Sequence, residues 1–231
     1  LSWLFALMIV VTYLALVAYS KGLFKFVRFY NLNIRKILVF MYPLSIGAFL
    51  SLLQKQGYRF VMVPLGFTAE VGIFATVSGI GSAAIGAVGL IYSQQFMPKL
   101  YKSKGVSIPG YLKGAIAAIL VVVVFFIGFG EFIVATLTKA ELVEYWGLIL
   151  FGVANDGMTI LVAGLVIYLT ISNDNKKILI SAVIGLLSAA ICFSGLYVLD
   201  ALSISSIGIP MLASELLIVL YLTYIYIRNK T

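Results

Sequence analysis

The chain has 231 residues, 63% of them hydrophobic and 10% charged, with a mean hydropathy of +1.14; a soluble domain is about 45–50% apolar and about 25% charged. Too few polar groups remain to cover a water-soluble globule, so lipid is the expected solvent for most of the surface, and 16 Lys and Arg against 8 Asp and Glu do not point to nucleic acid in so apolar a chain. One cysteine, Cys192, and no histidine exclude a disulfide framework, cysteine- or histidine-based metal sites and a Ser-His-Asp triad.

A bilayer-spanning helix needs about 20 largely apolar residues at 1.5 Å rise each. Runs of that kind fall at 1–19, 36–64, 70–97, 112–136, 145–171, 178–199 and 205–227. None shows the strict alternation of barrel strands. Turn and breaker residues separate them at Asn31–Asn33, Pro98 with Lys99, Ser107–Gly110, Asn173–Asn175 and Asp200–Ser206. The expectation is an all-α polytopic membrane protein of about seven spans. Residues 1–34 form one span and a basic linker; residues 35–231 form a six-helix bundle. The first run starts at Leu1 with no basic region before it, unlike a signal peptide. The expectation is therefore a piece of a longer chain.

Topology resolves the segment 36–97, where Lys55 and Arg59 could mark a loop and Gly79–Gly81 an extra turn. With seven spans, every cation except Lys55, Arg59 and Lys139 falls on one side, as Lys21–Lys36, Lys99–Lys113, Lys176 with Lys177, and Arg228 with Lys230. Glu70, Glu131, Glu141, Glu144 and Asp200 fall on the other. An extra span would break this pattern, so the positive-inside rule favours one long helix ending near Pro64 and a short loop 66–69. It also places the N-terminus outside and the C-terminus in the cytoplasm.

Ionisable residues within apolar runs are costly and face protein or a wet cavity. Lys55 and Arg59, at i and i+4, share one helix face, about 28–35 Å along the helix from Lys36. They would suit phosphate or an acidic sugar, or else snorkel to headgroups. Asp156, in Gly152-Val-Ala-Asn-Asp-Gly157, suits proton or cation handling, or a helix–helix hydrogen bond. Glu215 lies midway along the last span without a partner at helical spacing. Small residues at Gly79, Gly81, Gly86 and Gly89 predict close helix packing. Pro43 and Pro210 are candidate hinges. Tyr19, Tyr92, Tyr101, Tyr111, Tyr145, Tyr224 and Tyr226 read as interface anchors. No nucleotide motif, metal cluster or cofactor site is legible.

Residues Arg35-Lys-Ile-Leu-Val-Phe-Met-Tyr-Pro43, Leu50-Ser-Leu-Leu53, Tyr58-Arg-Phe-Val-Met62 and Leu65-Gly-Phe-Thr-Ala-Glu-Val-Gly-Ile-Phe74 together resemble the start of the second half of Wzx-type O-antigen and capsule flippases. These belong to the multidrug/oligosaccharidyl-lipid/polysaccharide (MOP) superfamily. Gly66, Glu70, Val71 and Gly72 match the family's Gly-x-x-x-Glu-Val-Gly stretch; Tyr58 and Phe74 depart from it. The resemblance implies the C-terminal bundle of a two-bundle, non-enzymatic transporter of the bacterial inner membrane. Its partners would be membrane lipids, a preceding N-terminal half and an undecaprenyl-pyrophosphate-linked anionic oligosaccharide moved by alternating access. Lys55 and Arg59 would line the cationic cavity, while Asp156 and Glu215 would serve coupling. Two alternatives stay open: a multidrug or cation antiporter of the same superfamily, which would carry an acidic cavity, and a polytopic glycan polymerase or ligase, which the short, histidine-free outer loops disfavour. A membrane scaffold would have no need of Asp156 or Glu215.

Overall fold

The computed structural model describes residues 10, 12–13, 16–17, 20 and 34–229. The expected span 1–19 lies outside the described residues except for positions 10, 12, 13, 16 and 17, which are helical. The basic linker Lys21, Lys25 and Arg28 and the break Asn31–Asn33 lie outside them altogether. The chain divides into two compact units, Leu1–Val39 and Phe40–Thr231, and the second holds the helical bundle.

Among the described residues every regular element is helical: α1 Ile34–Met62, α2 Thr68–Lys102, α3 Ile108–Leu137, α4 Ile149–Ile171, α5 Asn175–Val198 and α6 Gly208–Arg228. Short 3-10 segments, Ala140–Leu148 and Ile204–Ser206, lead into α4 and α6. Six helices, counted among the described residues, are long and apolar enough to cross a membrane. This is a multi-pass membrane protein whose described regular elements are all helices, because in lipid each backbone N–H and C=O must be satisfied within its own element. Large side chains on α3 such as Val121, Val124 and Phe132 are exposed, as a lipid-facing surface requires.

The long helices 34–62 and 68–102 are each unbroken, so no turn forms at Gly79–Gly81. The chain reverses between them at Gly66, whose φ of +94° lies in the left-handed region that favours glycine. Phe67 N–H bonds to the Met62 carbonyl across that turn. The break expected at Pro98 and Lys99 falls later: α2 runs through Pro98 to Lys102, and the turn occupies Ser103–Ser107 with Gly105 at φ +85°. Pro109 then sits in the first turn of α3, where its missing N–H costs nothing.

The two candidate hinges differ. Pro43 lies inside α1 and cannot donate to the Val39 carbonyl; one residue on, the Asn175 amide donates to the Phe40 carbonyl at 3.1 Å. Pro210 is the third residue of α6 and removes no interior bond, so it starts that helix and does not hinge it.

The closest helix pairs are α2 with α4 and α5 with α6. Gly81 and Gly152 explain the first. A Cβ on Gly152 would collide with the Ser78 carbonyl oxygen, and one on Gly81 with that of Ile149. Gly79, Gly72 and Gly86 meet nothing, so only part of the small-residue face is used for contact. The core forms two apolar clusters. One gathers Phe74, Val77, Ile149 and Val153; the other gathers Tyr111, Leu165, Ile218 and Leu222.

Three expected interface anchors, Tyr92, Tyr111 and Tyr226, belong to the second cluster instead. The Tyr111 ring is 1% exposed and its hydroxyl donates to the Ile160 carbonyl at 2.9 Å. Tyr92 donates to the Tyr111 carbonyl at 2.7 Å and stacks on Phe96. A phenol this deep is held by a carbonyl acceptor where an interfacial one would use water.

Candidate functional site

Three candidates far apart in sequence converge on one another. The Lys55 ammonium on α1 donates to Asp156 Oδ1 on α4 at 3.0 Å and to Thr159 Oγ1, one turn along α4, at 2.7 Å. Glu215 Oε1 on α6 stands 4.0 Å from the same nitrogen. The side chains of Lys55 and Asp156 are 27% and 31% exposed, whereas that of Glu215 is 5% exposed. The cluster thus has an accessible edge and a buried floor.

Its local construction follows from helix geometry. Asp156 and Thr159 are i and i+3, so they present oxygens on one face of α4. The glycines on either side of Asp156 admit close neighbours: Gly152 touches α2, and a Cβ on Gly157 would press on Ile119 of α3. Gln54 and Ser214 buttress the cluster. Ser214 donates its hydroxyl to the Met211 carbonyl at 2.8 Å, so Gln54 must be the donor between them, through Nε2 at 2.8 Å. That fixes the amide orientation and leaves Gln54 Oε1 without a partner. Asn155 Oδ1 is likewise buried without a partner, beside a cavity of about 30 Å³ that Ser78, Ser82 and Gly152 also line.

Arg59 does not join the cluster. It is exposed, its Nε donates to its neighbour's Tyr58 hydroxyl at 3.0 Å, and among the described residues no carboxylate pairs with it. The Tyr58 ring turns inward and meets Phe74 edge-on at 5.4 Å. The two cations therefore share a face but differ in state: Lys55 is neutralised by carboxylates, while Arg59 faces none among the described residues. The cation pair expected from sequence becomes an ion cluster with an arginine one turn beyond it.

The other motif residues lie at the Met62 end of the bundle. Gly66 makes the turn. Glu70 is in the first turn of α2, where a carboxylate complements the helix dipole. Gly72 is exposed, with open space around it, and nothing in the structure explains its being glycine. Gln54, Thr159 and Ser214 are the site residues that sequence reasoning passed over; each is a polar residue next to, or one turn from, a charged one.

On another flank of α1, a groove of about 500 Å³ separates it from α5, lined by Leu53, Gly57, Val61, Ala189, Phe193 and Tyr197. Among the described residues no three acidic, histidine or cysteine side chains gather as a metal site would require. No protein family, curated protein or solved structure matches the chain.

Proposed function

We propose that this chain is the C-terminal bundle, with one preceding helix, of a Wzx-type flippase. It would move an undecaprenyl-pyrophosphate-linked anionic oligosaccharide across the bacterial inner membrane by alternating access. The observation that carries this reading is the meeting of Lys55, Asp156 and Glu215 from three membrane-spanning helices. Charges are placed there against a cost of several kcal/mol, and a scaffold has no use for them.

In this reading Arg59 presents the anion-binding group. Its guanidinium is unpaired with any described carboxylate, and arginine can grip phosphate oxygens in a bidentate way. Lys55, held by Asp156 and Glu215, belongs to the coupling apparatus more than to the cargo site. Cation-rich loops at the Lys102, Lys176 and Arg228 ends would face the cytoplasm. A second reading, a cation or drug antiporter of the same superfamily, is favoured by one feature: the cluster holds two carboxylates to one ammonium.

The deciding experiment is leaflet transfer of the lipid-linked oligosaccharide by the full-length parent protein in proteoliposomes. Transfer that falls at least tenfold in Arg59→Ala supports the flippase. Unchanged transfer in that variant removes the cargo role of Arg59, and efflux of organic cations with no glycolipid transfer establishes the antiporter.

A further inference from the structure

Glu215 is the most deeply buried carboxylate of the cluster, yet its pairing is incomplete. At 4.0 Å its Oε1 is beyond hydrogen-bond reach of the Lys55 ammonium, which is committed to Asp156 and Thr159. Among the described residues no hydrogen bond reaches the Glu215 carboxyl. The neighbouring hydroxyl of Ser214 is turned to Met211. The charged and titratable groups facing Glu215 are few. Among the described residues, only Lys55 of α1 reaches it, and only Asp156 of α4 lies beside that ammonium. α5, packed along α6, carries only Cys192 between Lys177 and Tyr197; the segment Ile204–Ser206 carries none.

With both acids ionised, one ammonium and two carboxylates leave a net charge of −1 in an apolar interior. Such an excess costs several kcal/mol unless a further positive charge is taken up. A metal ion is poorly provided for. Hard cations gather several oxygen ligands, and here Asp156 Oδ1 and Thr159 Oγ1, the oxygens nearest the centre, are already occupied by the lysine nitrogen.

We propose that the cluster binds one exchangeable proton, carried on the Glu215 carboxyl, and that Lys55 is the resident cation in the place a metal ion would take. With the proton bound, the ammonium rests on Asp156 and Thr159, as the structure has it. When the proton leaves Glu215 for water, the ammonium shifts toward Glu215 and is shared by both carboxylates. The exchange draws α1 toward α6, and the open edge at Lys55 and Asp156 is the route by which the proton departs. This deepens the coupling role proposed above and rests on that reading for its purpose, but proton binding is measured without transport and so stands or falls separately.

The test is infrared titration of the full chain in lipid nanodiscs, following the carbonyl stretch of a protonated carboxylic acid. The wild type is expected to show one such band that titrates reversibly with pH and ignores added sodium. Glu215→Gln removes the band; Asp156→Asn, which leaves the Lys55 ammonium to Glu215 alone, makes the proton easier to lose, so the band disappears at lower pH than in the wild type. Lys55→Met, which leaves both acids without a counter-ion, about doubles it and provides a check that does not depend on the Glu215 variant folding. A band that persists in Glu215→Gln, or the absence of any titrating band in the wild type, overturns the proposal. So does loss of the band on adding sodium, which would make the exchangeable charge a metal ion.

Discussion

α2 and α4 touch backbone to backbone at Gly81 and Gly152, whereas α1 reaches the same bundle mainly through side chains. Its attachments are the Lys55 cluster, the Gln54–Ser214 bond, the Asn175 bond to the Phe40 carbonyl and the Tyr58–Phe74 edge contact. Beside it lies a groove of about 500 Å³. The contrast teaches how a membrane bundle separates rigidity from responsiveness. Dispersion between closely packed small residues depends on neither pH nor ligand, while hydrogen bonds to ionisable groups depend on the proton each group carries.

The sharpest way to break that contrast is to fill the backbone contact. Gly152→Ala should lower stability by about 3 kcal/mol, the upper end for overpacking, because the methyl would meet the rigid Ser78 carbonyl. Gly79→Ala, on the facing helix α2 with open space around it, should be neutral or slightly stabilising. Thermal unfolding in detergent compares the two, and equal losses would mean that the tight approach of α2 and α4 does not hold.

On the side-chain attachment, Lys55→Met should cost about 2 kcal/mol near neutral pH. That is less than the roughly 3–5 kcal/mol of a fully buried broken pair, because Lys55 and Asp156 keep an accessible edge. Neutralising both acids in the same background (Asp156→Asn with Glu215→Gln) should restore most of the loss. A loss that survives neutralisation would show that the lysine stem, not its charge, anchors α1.

Smaller effects sharpen the comparison further. Gln54→Leu removes one hydrogen bond but also an unpartnered buried oxygen, so a change within about 1 kcal/mol is expected by chemical denaturation. Arg59→Ala should leave stability within about 0.5 kcal/mol, as for exposed positions, while lowering glycolipid transfer. Unfolding and transport measured on one preparation separate the two roles.

Much of the architecture is legible in composition and run length. Six of the expected spans reappear as helices, and the choice of one unbroken helix over two between residues 68 and 102 followed from charge balance alone. Boundaries near Pro98 and the role of Pro210 were not legible, since proline is harmless or disruptive according to its position in a turn. Tyr111 was misread for a related reason: an amphipathic ring near a span end fits an interface or a carbonyl in the core equally well, and only Ile160 across the bundle decides.

Sequence by itself determined that lipid is the solvent, that helices are the elements and that Lys55, Asp156 and Glu215 are anomalous there, because each follows from the cost of placing a residue in hydrocarbon. Which of these charges would meet was decided by tertiary structure. Lys55 lies 101 residues from Asp156, and no local spacing encodes a contact between separate helices. Lys55 and Arg59 look alike in sequence, yet packing sets one beside two acids and gives the other none among the described residues, because α4 and α6 bring their acids to one turn of α1 and not to the next.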